Sequence, residues 1–132
     1  MMFTTTGQIR QNNYGEDSMP GQNKLRVTTI DQVYFIDTAD ILRIESISNY
    51  SKIFFTNGKT ILVSKVLAHF EMLLTDFHFV RIHRTHLVNM LYIRNYERGS
   101  LPKIGLHNNE RLPVSRSKKK LLQYELKKYC LA

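Results

Sequence analysis

A chain of 132 residues with 42% hydrophobic content, seven Phe and seven Tyr can bury one sizeable core, which excludes a disordered tail and leaves little room for a second domain. A formal net charge of +8 favours phosphate-rich partners, and a single cysteine excludes an intramolecular disulfide and fits a reducing compartment. No window approaches the roughly 18 apolar residues of a membrane span, and the start Met1-Met-Phe-Thr-Thr-Thr-Gly7 lacks the basic and apolar regions of a secretion signal, so a cytoplasmic protein without membrane contact is expected.

Residues 1–23 are rich in Gln, Asn, Gly, Thr and Ser, contain Pro20-Gly21 and show no apolar periodicity, which reads as a flexible linker or tail. Residues 24–132 form the folded unit. Short β-branched and aromatic runs at Leu25–Thr29, Val33–Ile36, Ile41–Ile47 and Lys52–Thr56 predict strands. Asn57-Gly58 then separates Ile53–Thr56 from Thr60–Val63, and both turn residues tolerate the positive φ of a two-residue hairpin. Ser64 is placed to cap a helix over about 65–75, whose apolar stripe is Val66, Leu67, Phe70, Leu73 and Leu74.

The strand pattern resumes at His78–Ile82, Leu87-Val88, Leu91–Arg94 and Tyr96, around a polar stretch at 83–86. Arg111–Val114 predicts a short last strand, with Pro113 at an edge or an end. Leu121, Leu122, Leu126 and Tyr129 mark a terminal helix whose first turn carries Lys118, Lys119 and Lys120. Many short strands with two modest helices give a mainly β domain of small antiparallel sheets.

The charge is unevenly placed. Residues 81–100 carry four basic side chains against one acidic and residues 111–132 seven against one, whereas 31–80 carry four against six. A lysine run alone is as well read as a solvated helix face. Two basic blocks flanking strands point instead to a nucleic-acid face.

Enzymatic signatures are scarce: no Gly-rich phosphate loop, nucleophile elbow or His-Glu-x-x-His occurs, and no cofactor is implied. His78, His83 and His86 raise a metal-dependent enzyme as one alternative, but histidines three apart on one strand point to opposite faces and no carboxylate or cysteine accompanies them. No metal site is expected. His83, Arg84, Thr85 and His86 between apolar strand residues offer donors to base edges or phosphates, and Arg84 has the fork for a bidentate pair with guanine. His86 is equally well read as half-buried core, and Arg81 as a structural cation paired to a carboxylate or carbonyl. Ser115-Arg116-Ser117 sits where a strand gives way to a helix, whose free N–H groups favour an anion. Asn49-Tyr50-Ser51-Lys52 is a polar turn that alone would be unremarkable. A β-rich RNA-binding module stacking bases on Tyr50, Tyr92 or Tyr96 is the other alternative.

Four segments, in order, resemble the LytTR family of bacterial DNA-binding domains over about residues 27–127: Ile44–Ser46 through Asn49–Ile53, Ile61–Leu67, Phe79-Val-Arg-Ile-His-Arg-Thr-His-Leu-Val-Asn89 and Leu112–Lys118. The resemblance implies an elongated fold of small antiparallel sheets with short helices that contacts DNA through loops. It implies the output domain of a two-component response regulator, binding direct-repeat sites, bending the duplex and answering to a sensor kinase through a receiver domain. A second copy on the adjacent repeat goes with such sites. By position it places DNA contacts on Asn49, Ser51 and Lys52, on His83 and Arg84, and on Ser115, Arg116 and Lys118. Ser51 or Lys52 and Arg116 are then major-groove readers, with Arg84 on the intervening backbone or minor groove. Leu101–Asn109 departs from the family's late hairpin, and strand pairing there stays open. His86 stands where many members carry an aromatic residue. Residues 1–23 cannot hold a receiver domain, so an effector domain cut from a longer regulator and a stand-alone member both remain open.

Overall fold

A computed structural model describes residues 23–131; of the tail expected at 1–23, all but Asn23 lies outside the described residues. The strands are β1 Lys24–Thr28, β2 Val33–Asp37, β3 Ile41–Ile47, β4 Tyr50–Phe55, β5 Thr60–Val63, β6 Phe79–His83, β7 His86–Asn89, β8 Ile93–Glu97, β9 Lys103–Leu106 and β10 Arg111–Pro113. Two helices, α1 Leu67–Leu74 and α2 Lys119–Tyr129, complete the frame. The mainly β architecture of small antiparallel sheets with two short helices is the one the sequence predicts.

A five-stranded antiparallel sheet in the order β5-β4-β3-β7-β6 forms the middle layer. One face carries Ile41, Ile44, Ile53, Val63, Phe79 and Leu87, which pack against Leu67, Phe70 and Leu74 of α1 and Leu25, Val27 and Ile36 of the β1–β2 hairpin. The other face carries Leu42, Val80, Ile82 and Val88, which pack against Ile104, Leu106 and Leu112 of a three-stranded sheet, order β10-β9-β8, and Leu122 of α2. Burial on both faces explains why apolar residues stand side by side at Ile41-Leu42 and Leu87-Val88 instead of alternating with polar ones. A bulge in β3 between Ile41 and Arg43 shifts the register against β4, so Ile41 and Ile44, three apart, enter one core while Leu42 enters the other.

Three local expectations are corrected. The β4–β5 hairpin exists, but only Gly58 of the Asn57-Gly58 pair takes positive φ (+90°), because the loop has three residues. Gly58 N–H donates to Phe55 O (3.0 Å) and Phe55 N–H to Lys59 O (2.9 Å), a turn closed by a glycine bulge. Helix α1 starts at Leu67 after an extended Val66, with no side-chain cap, so Ser64 does not cap it. Val66 and Leu73 are exposed, which narrows the buried stripe to Leu67, Phe70 and Leu74. The open segment 101–109 contains β9, paired to both β8 and β10.

Helix α2 lies along β6: it begins beside Ser115, whose N–H donates to Ile82 O, and ends with the Tyr129 ring 4.9 Å from that of His78. Leu122 is its one fully buried side chain, with Leu126 and Tyr129 partly covered. Leu122→Ala is therefore expected to lower stability by about 2–5 kcal/mol, the usual cost of a leucine-sized core cavity, as read from the midpoint of urea unfolding.

Candidate nucleic-acid interface

Strand direction decides which loops are neighbours. The Ser48-Asn49 turn joins β3 to β4, and the Arg84-Thr85 turn joins β6 to β7. Because β3 pairs antiparallel with both β4 and β7, the two turns lie at the same end of the middle sheet. Ser46 N–H donates to Thr85 O (2.9 Å) and ties one turn to the other. Ser115 N–H reaches Ile82 O (2.8 Å) on the outer edge of β6, which brings the third segment to the same end. With strands about 4.8 Å apart, the row from the Ser48-Asn49 turn to Ser115 is about 17 Å wide.

Each segment has its own scaffold. In the first, Ser48 takes φ +57° and Asn49 is exposed. Ser51 departs from the expected reading role. It is fully buried on the α1 side of the sheet and its hydroxyl donates to Lys65 O (2.7 Å), so it pins the Ser64–Val66 connection under the turn. Lys52 points to the opposite face, set back from the turn, opposite Glu45 and with its ammonium 5.3 Å from the Phe54 ring.

In the second segment Arg81 is structural, as one reading of the sequence had it. Its guanidinium donates to Glu71 (2.7 Å), to His83 O (2.9 Å) and to Arg84 O (2.6 Å), so one side chain fastens the turn to α1. His83 Nδ1 accepts from Thr85 N–H (3.2 Å) and lies 2.8 Å from the Thr85 hydroxyl, which places the ring proton on Nε2 as a donor. Arg84 is exposed. In the third, Ser115 precedes a single 3-10 turn over Arg116–Lys118, and Lys118 N–H donates to Ser115 O (3.0 Å). The N–H groups of Arg116 and Ser117 stand at its open start. Neither Arg84 nor Arg116 has a carboxylate partner among the described residues.

The expectation that His83 and His86 face opposite ways is overturned, because the turn at 84–85 puts them on two strands. They are cross-strand partners with ring centroids 5.5 Å apart. His78 sits at the far end of β6 against Tyr129, and no group of three metal-ligating side chains occurs among the described residues. His86 belongs to the core side of its two readings: it is buried, and its Nδ1 has no hydrogen-bond partner, lying 3.9 Å from Glu45. Of the three tyrosines offered for base stacking, only Tyr50 is exposed. Tyr92 donates to Ala39 O and Tyr96 has its hydroxyl buried.

A cluster behind the turns escaped the sequence reading. Arg43, buried in β3, donates to Glu45 (2.7 Å) and through two nitrogens to Glu110 (2.9 and 3.2 Å), while its guanidinium carbon lies 3.7 Å from the Phe54 ring centroid. Burial works against its charge, but the Glu110 and Glu45 hydrogen bonds outweigh it and hold the Arg43 pKa above the ordinary value. The same contact lowers the Glu110 pKa. Burial is the main cause of the lowered pKa of His86, against an opposing pull from Glu45. A charged residue inside an apolar run was the visible signal at Arg43; its partner 67 residues away was not.

A family model described as the LytTr DNA-binding domain matches residues 31–127. The sensory transduction protein LytT of Bacillus subtilis is 30% identical over 110 residues, 82% of this chain and 45% of that protein. The CO-responsive transcriptional regulator RcoM of Rhodospirillum rubrum is 23% identical over 124 residues, 89% of this chain and 52% of that one. The chain thus spans about half the length of these curated relatives. A solved LytTr DNA-binding domain from Bacillus cereus superposes with a TM-score of 0.68 at 24% identity, covering 79% of this chain and 96% of that one, a likeness of fold. No helix among the described residues is long and apolar enough to cross a membrane.

The lowered pKa of His86 has a signed consequence. Its unfolded form binds a proton near pH 6.5 while the folded form resists, so this contribution is complete above that pH and is lost as pH falls toward the lower folded value. Urea midpoints measured from pH 7.5 to 5 should fall in the wild type and fall less steeply in His86→Phe; parallel curves would remove His86 as the cause.

Proposed function

The chain belongs to the LytTr DNA-binding domain family, and from that premise we propose that it reads direct-repeat DNA sites through three loops as the output half of a two-component transcription regulator. The observation that carries this reading is the single row formed by the turns at 48–49 and 84–85 and the segment 115–118, with Arg84 and Arg116 unpaired in it. Unpaired guanidiniums on a rigid edge give up no existing partner when they meet guanine edges or phosphates, and the planar fork makes two hydrogen bonds for the rotamer freedom it loses.

The parts divide between reading and positioning. Arg116, at the start of a 3-10 turn whose base is fixed to β6, projects into the major groove. Asn49 enters the groove from the other end of the row, with Lys52 behind it on a phosphate. Between them His83, through Nε2–H, and Arg84 hold the intervening backbone or minor groove. Ser115 and Lys118 take phosphate at the open helix start. Ser51 and Arg81 contact no DNA in this scheme and keep the first two turns in place. A row about 17 Å wide is half of the roughly 34 Å that separates successive major-groove faces on a straight duplex, so a duplex bent toward the row, with those faces drawn together, suits loops that enter the major groove at both ends. The names of the relatives, a sensory transduction protein and a CO-responsive transcriptional regulator, fit an output half joined to a sensing or receiving half. A sensor kinase acting through a receiver domain and a second copy on the adjacent repeat complete the proposal.

Selection of bound duplexes from a random pool should return one preferred sequence repeated at a fixed spacing. Arg116→Ala should lose about 1–3 kcal/mol of discrimination at one base pair of it. Lys118→Ala should weaken binding to preferred and random duplexes alike and make the salt dependence shallower by about one. Unchanged discrimination in Arg116→Ala refutes the major-groove role of that residue.

A further inference from the structure

We propose that the β8–β9 loop, residues 98–102, with Lys103 at the start of β9, is a fourth DNA contact that grips the duplex backbone just outside the bases facing Arg116. The proposal rests on the DNA-binding reading above and adds a surface that the three-loop scheme does not include.

Two hydrogen bonds fix its place. Val114 N–H donates to Pro102 O (3.0 Å), and the next residue, Ser115, donates its N–H to Ile82 O (2.8 Å). Consecutive N–H groups of an extended chain point in opposite directions. The loop therefore lies on the side of Val114-Ser115 away from β6, which extends the row of tips by one more position. Lys103 pairs with Pro113 at the end of β10, which keeps the loop at this end of the molecule.

What the loop presents suits a nucleic-acid backbone. Ser100, Leu101, Pro102 and Lys103 form one wall of an open groove of about 390 Å³, and Arg116 and Lys119 stand on the other. Three cations and no carboxylate line it. Glu97, opposite Lys103, is held by Nε and Nη2 of Arg111, each at 2.7 Å. Arg98 is exposed at the start of the loop and enters no ion pair among the described residues. Leu101 is 79% exposed at the tip, with no apolar cover among the described residues. An exposed leucine beside a groove lined by cations suits the minor groove, where apolar side chains inserted at base steps help to bend the duplex. An acidic protein surface would satisfy the cations, but continuity with the reading loops favours the strand that already passes Arg116.

The test uses the selected duplex, with the end nearest Arg116 identified by the base pair at which Arg116→Ala loses discrimination. Trimming about six base pairs of flank from that end, roughly half a helical turn, should weaken wild-type binding by about tenfold, and trimming the other end should weaken it less. Arg98→Ala/Lys103→Ala should bind the untrimmed duplex as weakly as the wild type binds the trimmed one, should be indifferent to trimming, and should show a salt dependence shallower by about two. It should keep the wild-type sequence preference, since these side chains read no bases. Leu101→Ser should reduce the bend angle seen by end-to-end fluorescence transfer. If wild type and double variant respond alike to trimming while selecting the same sequence, the fourth contact is wrong and the three-loop reading stands; if the wild type prefers no duplex, both fall.

Discussion

The candidate interface depends on one short stretch of backbone shared by two sheets. Val114-Ser115 gives one N–H to Pro102 and the next to Ile82, so the three-stranded sheet and the five-stranded sheet meet along it. Without that seam the carboxyl-terminal basic segment would be a helix start on a tether. With it, Arg116 sits at a fixed lateral step from the Arg84-Thr85 turn, and the row of tips becomes one rigid edge. The apolar side chains beside the seam do the holding: Ile82, Val114 and Leu122 share a core, and α2 runs back along β6 from it. Hydrophobic burial supplies the energy, while the two hydrogen bonds supply the register.

A second tie between the sheets is ionic. Arg43 belongs to the middle sheet, Glu110 to the connection before β10, and their paired hydrogen bonds cross the interface between them. A buried guanidinium is costly to desolvate, and the cost is offset only because both carboxylates and the Phe54 ring meet it in fixed positions. Partly exposed carboxylates soften that balance, since water can take their place. The pair contributes alignment more than net stability. It also fills the place where His86 and Glu45 would otherwise face an apolar layer, and so joins the polar interior to the tips they support.

How far the sequence could be read follows from which contacts are local. Strand periodicity, the hairpin at Gly58 and the terminal helix depend on neighbours a few residues away, and their existence was legible. The three basic or polar loops were legible too, though their alignment was not, because it rests on antiparallel pairing of β3 with both β4 and β7. Ser51 was misread because its burial is decided by α1 and by the Lys65 carbonyl, 14 residues on. The histidines at 83 and 86 were assigned to one strand when a two-residue turn separates them; Arg84-Thr85 lacks the glycine or asparagine that usually announces such a turn. The helix start at Leu67 shows the same limit in reverse, since Ser64 has the chemistry of a cap and tertiary packing starts the helix two residues later than that cap would.

The arginines show why composition alone pointed in the right direction without naming residues. Arg43, Arg81 and Arg111 are each bonded to carboxylates, and Arg94 to Asn109; their charge is absorbed by the fold. Among the described residues Arg26, Arg84, Arg98 and Arg116 enter no ion pair, and three of these four stand at one end of the sheets. Net charge therefore overstates the cations free to meet phosphate and says nothing of where they are. The pairing makes the difference: carboxylates neutralise the cations that build the frame and leave bare those at the tips. The unpaired guanidiniums at 84, 98 and 116 thereby concentrate positive charge at the edge where the loops converge, the edge proposed to meet DNA.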